Sequence, residues 1–170
     1  ENDRYFCPSP PTWGHGMWYG TMAPIALGTA IGAYSGKFKI EVFLEGLEEF
    51  RITNVSAVPT VYRKVLKSGR LQDFDINVEK LSCTGELLDT EIFHEVEEQF
   101  GVAPCSFYGA TEVGVIIANY AGLDGWKFKP GSLGKPMPGL EVAVIDEEGK
   151  QLSPGETGEI AVKLSGKWVK

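Results

Sequence analysis

No Asp, Glu, Lys or Arg occurs between Tyr5 and Gly36, although 23% of the whole chain is charged. Such a run has to lie against apolar surface, in a bilayer or in a protein core. Its most apolar part, MWYGTMAPIALGTAIGAY, is long enough to cross a membrane. Gly20, Pro24, Gly28 and Gly32 interrupt it, however, and its Thr and Tyr residues dilute the hydropathy. A buried helix of about ten residues followed by a buried strand fits better than a membrane span. The stretch then belongs to the middle of a larger core.

Histidine and cysteine are also scarce. Only His15 and His94, with Cys7, Cys83 and Cys105, are available, widely spaced and without a CxxC pair, so a zinc site has no support. An odd cysteine count without a framework argues for buried thiols in a reducing cytoplasm rather than a secreted, disulfide-stapled scaffold. Basic excess is missing too. The net charge is −7 and the pI about 4.9, which leaves no electrostatic footprint for nucleic acid. ENDRYFCPSPP carries no signal-peptide pattern.

What is present alternates between helix and strand. IEVFLEGLEEF places Ile40, Phe43, Leu44, Leu47 and Phe50 on one helical stripe. ITNVSAV reads as a buried strand. Pro59 then opens a helix with Val61, Tyr62, Val65 and Leu66 on its apolar face, and Gly69 ends it. A short strand, Leu81 to Thr84, turns at Gly85. Asp89 caps a further helix with Ile92, Phe93, Val96 and Phe100 inward, Gly101 at its end and His94 on its solvated face. A strand from Ala103 to Phe107 follows. Strands separated by helices of this length imply βαβ units and a parallel sheet.

The last third differs. A Gly-rich, loop-like stretch separates Ala118 from Lys135, and LEVAVID and GEIAVKL read as antiparallel strands with Ile160, Val162 and Leu164 on the buried face. The expected fold class is α/β. A parallel βαβ subdomain with flanking helices (residues 1–118) is followed by a loop and the start of a β-rich, distorted-barrel subdomain (residues 119–170). A sheet with open edges at both ends is an aggregation liability, so the chain reads as a piece of something larger.

SFYGATEVG, Ser106 to Gly114, ends the last parallel strand with an aromatic, two small residues, a hydroxyl and a carboxylate. Ligands of open α/β sheets bind at the carboxyl ends of strands. This composition suits a base, a phosphate oxygen and a metal, and it equally suits a strand running into a helix capped by Thr111.

Taken in order, TGELL, SFYGATEVG and GSLGKPMPGLEVAVIDEEGKQLSPGETGEIAV resemble the adenylate-forming (AMP-binding) enzymes: acyl-CoA synthetases, luciferases and peptide-synthetase adenylation domains. WYGTMAPIALGTAIGAYSGKF and SAVPTVYRKVL look most like acetyl- and medium-chain acyl-CoA synthetases or aryl-CoA ligases. The resemblance implies an acid–thiol ligase that activates a carboxylic acid with ATP as acyl-AMP and passes the acyl group to coenzyme A, with Mg²⁺ as the metal. Related alternatives are a peptide-synthetase-type or luciferase-like adenylating domain; a non-catalytic nucleotide-binding module is the reading from another class.

Carried over residue by residue, Thr111 and Glu112 match the catalytic pair, and Glu112 the metal carboxylate. Gly85, Glu86, Leu87, Tyr108, Gly109, Ala110 and Thr111 match the nucleotide-binding positions. Trp13, His15, Trp18, Val58, Pro59 and Val115 match the wall of the acid pocket, whose aromatic and apolar content suits a hydrophobic acyl or aryl acid. The family's phosphate loop falls upstream of Glu1, and its ribose Asp and C-terminal Lys fall downstream of Lys170. The chain is therefore expected to be the middle of a large N-terminal domain, with N- and C-terminal parts of the same polypeptide missing.

Overall fold

The structure, a computed structural model, describes residues 2–120, 126 and 128–170. Part of the expected loop after Ala118 lies outside the described residues.

A seven-stranded mixed sheet forms the frame. Its strands are β1 (Arg4–Phe6), β2 (Ala30–Gly32), β3 (Asn54–Ala57), β4 (Lys80–Cys83), β5 (Pro104–Ala110), β6 (Gly114–Asn119) and β7 (Lys135–Pro136), in the order β2-β1-β3-β4-β5-β6-β7. The first five are parallel, as the alternation of elements requires. β6 and β7 are antiparallel additions. The sequence reading let the chain leave the sheet at Thr111–Glu112. It instead turns back over three residues and pairs β6 with β5, with a register shift at Tyr108/Gly109.

Helices α2 (Ile40–Glu49), α3 (Pro59–Ser68) and α4 (Thr90–Phe100) cover one face of the sheet. Their ends follow local chemistry. Pro59 sits in the first turn of α3, Gly69 adopts φ +62° just beyond its end, and the Asp89 carboxylate accepts the Ile92 N–H at 2.9 Å to cap α4. Phe43, Leu44 and Leu47 of α2 and Val61, Tyr62 and Val65 of α3 meet Phe6, Val55, Ala57, Leu81 and Cys83 from the strands. Each such fully buried aliphatic side chain contributes about 1.5–3 kcal/mol. Tyr62, wholly buried, donates its hydroxyl to the Ser82 carbonyl at 2.8 Å, so its one polar atom is satisfied inside the core. Phe50 lies beyond the end of α2 and is exposed, outside the stripe to which its spacing assigned it.

The charge-free segment departs from expectation. It forms a π-helix, His15–Met22, continued by α1, Ala23–Ala26, and then β2 at the sheet edge. His15, Gly16, Gly20 and Pro24 are buried, but Ile25 is 59% and Leu27 82% exposed. Much of its apolar surface, Trp18, Met22, Ile25 and Leu27, is left exposed. Among the described residues no helix is long and apolar enough to cross a membrane.

A second sheet of three antiparallel strands, β8 (Val142–Ile145), β9 (Glu159–Leu164) and β10 (Lys167–Val169), is the expected β-rich part. Ile145 of β8 and Ala161 and Val162 of β9 are buried in it and Leu164 is exposed, so the expected alternation is displaced along β9. Cys7 and Cys83 are buried as expected, whereas Cys105 is half-buried.

Candidate functional site

The connection after β4 and the end of β5 flank a groove of about 220 Å³. Thr84 to Leu88 form one wall and Ser106 to Gly109 the other, as neighbouring parallel strands must place them. Tyr108 is 39% exposed and presents its ring to this space rather than to the core. Phe93 and Phe128, stacked with centroids 4.7 Å apart, line it as well.

A third wall, Gly131 to Leu133, was not foreseen. Buried Asn119 holds it: its amide donates to the Lys129 carbonyl at 2.6 Å and the Ser132 carbonyl at 3.0 Å, and its oxygen accepts the Lys129 N–H at 3.1 Å. The signal was available, because Asn119 is the one polar side chain closing the apolar run GVIIAN.

Glu86 is an exposed turn carboxylate, but it is paired. Its two oxygens accept the Thr60 hydroxyl at 2.8 Å each, and Arg63 pairs with it at 3.2 Å. Gly85, at φ +87°, has Trp13 against it; a Cβ there would meet the Trp13 ring at 2.6 Å and Val58 at 3.5 Å. Trp13, Val58 and Gly85 are thus brought together. Pro59 is fully buried in the core at the head of α3, so its ring is packing rather than pocket wall.

Thr111 and Glu112 lie elsewhere. They are exposed on the β5–β6 turn and line a separate, shallow groove with Trp18, Tyr19, Met22, Ala23, Ala26 and Gly114. Glu86 and Tyr108 line the first groove and Thr111 and Glu112 the second, with Ala110 exposed at the end of β5 between Tyr108 and Thr111. The π-helix fixes the second. Tyr19 Oη accepts the Val115 N–H at 2.8 Å, and a Cβ on Gly14 would lie 2.6 Å from Thr111 Oγ1. π-helical turns are rare and frequently mark functional sites.

The face of the sheet opposite α2–α4 carries Tyr5, Ser56 and Ser82 and borders a cavity of about 420 Å³ that also includes His15, Tyr19 and Val115. Its base is a hydrogen-bonded chain. Ser9 Oγ lies 2.9 Å from His15 Nδ1, His15 Nε2 lies 2.8 Å from Ser56 Oγ, and the Ser82 hydroxyl donates to Ser56 at 2.8 Å. Burial pushes His15 down to about 4, so the ring is neutral at pH 7. Burial likewise raises the Tyr5 hydroxyl and the Cys7 thiol, and the Cys83 thiol up to about 12. None of these buried groups is an ionised nucleophile at pH 7.

A stability prediction follows from His15. Its imidazole titrates near 6.5 when unfolded but about 4 when folded, so the unfolded chain binds more protons in between. Stability is retained above the unfolded value and falls as pH drops toward 4; near pH 5 the loss is about 2 kcal/mol. Urea unfolding at about pH 7.5 and pH 5 checks this. His15→Gln should lose clearly less over that interval, and equal losses in both proteins would show that another group is responsible.

The comparisons agree with this architecture. The family model described as AMP-binding enzyme matches residues 1–169. The chain is a member of the AMP-binding enzyme family. Among relatives of this AMP-binding chain, the uncharacterized acyl–CoA ligase YtcI of Bacillus subtilis is 34% identical over 166 residues, 97% of this chain and 31% of that protein. A mitochondrial acyl-coenzyme A synthetase of Mus musculus is 30% identical over 165 residues, 96% of this chain and 28% of that protein. The crystal structure of an acyl-CoA synthetase of Brucella canis superposes with a TM-score of 0.89 at 29% identity, covering 97% of this chain and 31% of that one. This AMP-binding chain thus spans about three-tenths of the relatives it matches.

Among the described residues no cluster of three or more His, Cys, Asp or Glu could hold a metal by itself. Mg²⁺ does not need one. It commonly keeps several waters and takes one or two carboxylates plus substrate phosphates. An exposed carboxylate, Glu112, beside a hydroxyl, Thr111, on a turn that borders an open groove is a donor set of that kind.

Proposed function

We propose that the chain is the nucleotide- and acid-binding middle of an ATP-dependent acyl- or aryl-CoA synthetase. The observation that carries this reading is the groove between the 84–88 turn and the end of β5, in a chain of the AMP-binding family whose relatives are acyl-CoA ligases. In the reaction we assign, a carboxylate oxygen attacks the α-phosphorus of ATP and the bond to pyrophosphate breaks. The thiol sulfur of coenzyme A then attacks the acyl carbon and AMP leaves.

The residues divide this work. Tyr108 and the Gly85–Glu86–Leu87 turn would flank the adenine, with Gly109 and Ala110 letting backbone come close. Glu112 would hold Mg²⁺ and Thr111 would contact phosphate oxygen. A bound Mg²⁺ supplies neutralisation of phosphate charge as two anions meet. Trp13 and Val58, with Trp18, His15 and Val115 on the adjoining surfaces, would select a hydrophobic acyl or aryl acid, and Pro59 would support Val58 from the core. We retain residues 1–118 and 119–170 as two subdomains, the second lending β7 to the first sheet. The cysteine pattern supports a cytoplasmic location.

The experiment is acid-dependent pyrophosphate release from ATP, measured with a panel of aryl and medium-chain acids on the longer polypeptide to which we assign the chain. Release with such acids, and thioester formation on adding coenzyme A, is the expected result. Residues 1–170 alone are expected to show none, because no phosphate-loop Lys or ribose Asp of the family pattern is matched within them. Turnover by the isolated chain, or none by the longer polypeptide with any acid, would overturn the reading.

A further inference from the structure

The turn that walls the groove at residues 84–88 has no secondary structure of its own, and Gly85 at its apex has no side chain to anchor it. Two carboxylates flank its far end: Glu86 within the turn and Asp89 just after it. Both are tied to one cation. Arg63, on α3, places one guanidinium nitrogen 3.2 Å from Glu86 and the other 3.0 Å from Asp89. Thr60, one turn earlier on α3, donates its hydroxyl to both Glu86 oxygens at 2.8 Å. Asp89 in turn accepts the Ile92 N–H at 2.9 Å, so the same network reaches the start of α4. The Ile92 N–H and, next, the Arg63 guanidinium hold the Asp89 carboxyl below its usual value.

We propose that Arg63 is a positioning residue for ATP: by bridging Glu86 and Asp89 it fixes the 84–88 wall and keeps two negative charges from facing the nucleotide. This rests on the adenine-groove reading above. An isolated ion pair at 33% and 40% exposure has little value, but a fork spanning two carboxylates, with Thr60 and a helix cap completing the set, fixes geometry as a network. Charge matters as much. The chain carries −7 overall, and ATP is itself anionic. Without Arg63, Glu86 would keep Thr60 alone among the described residues, and the turn would gain uncompensated negative charge beside the bound nucleotide.

The test is steady-state kinetics of pyrophosphate release by the longer polypeptide, with thermal melting alongside. Arg63→Gln is expected to raise KM for ATP on the order of 10-fold, with kcat within about 2-fold and KM for the acid unchanged. Arg63→Lys should recover only part of the loss, since it keeps the charge but cannot fork across both carboxylates. Arg70→Gln is the control: it removes the same charge from a comparable surface network with Asp73 and Glu41, away from the groove, and should leave KM for ATP unchanged. An unaltered KM for ATP in Arg63→Gln overturns the proposal. So does a rise shared by ATP and acid that tracks a lowered Tm, or an equal rise in Arg70→Gln. A wild-type polypeptide without any ATP-dependent pyrophosphate release would instead remove the functional reading beneath it.

Discussion

Replacing Glu112 by Gln in the longer polypeptide is expected to slow adenylate formation on the order of 10²-fold or more, the cost of removing one preorganised electrostatic stabiliser. Glu112 is exposed on the β5–β6 turn, so the change leaves the core untouched. An amide keeps nearly the same shape but is a poor ligand for a hard cation, and phosphate charge at the groove would be less neutralised. Pyrophosphate release should therefore fall while the urea midpoint stays within error, and the variant should need more Mg²⁺. Near-normal turnover with unchanged Mg²⁺ dependence would show that Glu112 does not hold the metal.

Gly109→Ala should act on the fold first and on catalysis through it. Gly109 stands at the register shift of β5, where the hairpin backbones come closest. A Cβ there would run into the Gly114 carbonyl oxygen, with the Gly114 carbonyl carbon at 2.8 Å and the Val115 Cα at 2.9 Å. These are backbone atoms of a paired strand and cannot swing aside as a long side chain does, so the β5–β6 pairing has to open. We expect a loss of about 3 kcal/mol or more, at the upper end of overpacking costs. Gly46→Ala, within α2, is the comparison: its Cβ would meet nothing within 4 Å, and a gain of about 0.5–1 kcal/mol is expected there. Denaturant unfolding of both variants checks the contrast, and a Gly109→Ala chain as stable as wild type would mean the two strands do not approach as described.

The caps of α3 and α4 were legible in advance because a cap is local: Asp89 needs only Ile92, three residues on, and Gly69 and Gly101 need only their own φ. The parallel pairing of β3, β4 and β5 was legible for a related reason, since helices of that length between short apolar strands leave few other arrangements. That the 84–88 turn and the end of β5 face one groove followed, because parallel neighbours bring the residues after their carboxyl ends together. The β5–β6 hairpin was not legible. GATEVG has neither a two-residue hairpin turn nor a proline, and its reversal depends on the close backbone approach that Gly109 permits, a contact between strands rather than a preference of either.

Composition and periodicity by themselves determined α2 to α4, the parallel strands β3 to β5, the α/β class and the acidic character, since each follows from the chemistry of residues a few positions apart. Tertiary structure alone decided which residues share a surface. It placed Glu86 under Arg63 and Thr60 and put Thr111 and Glu112 on the β5–β6 turn, with Thr111 against Gly14. It also turned His15 into the middle of a buried serine chain and left Ile25 and Leu27 in the open. The physical reason is that hydropathy records how much a residue gains by burial, not what covers it. Pairings such as Arg63 with Glu86 or Tyr19 with Val115 join residues 23 and 96 positions apart, and only the completed packing fixes them.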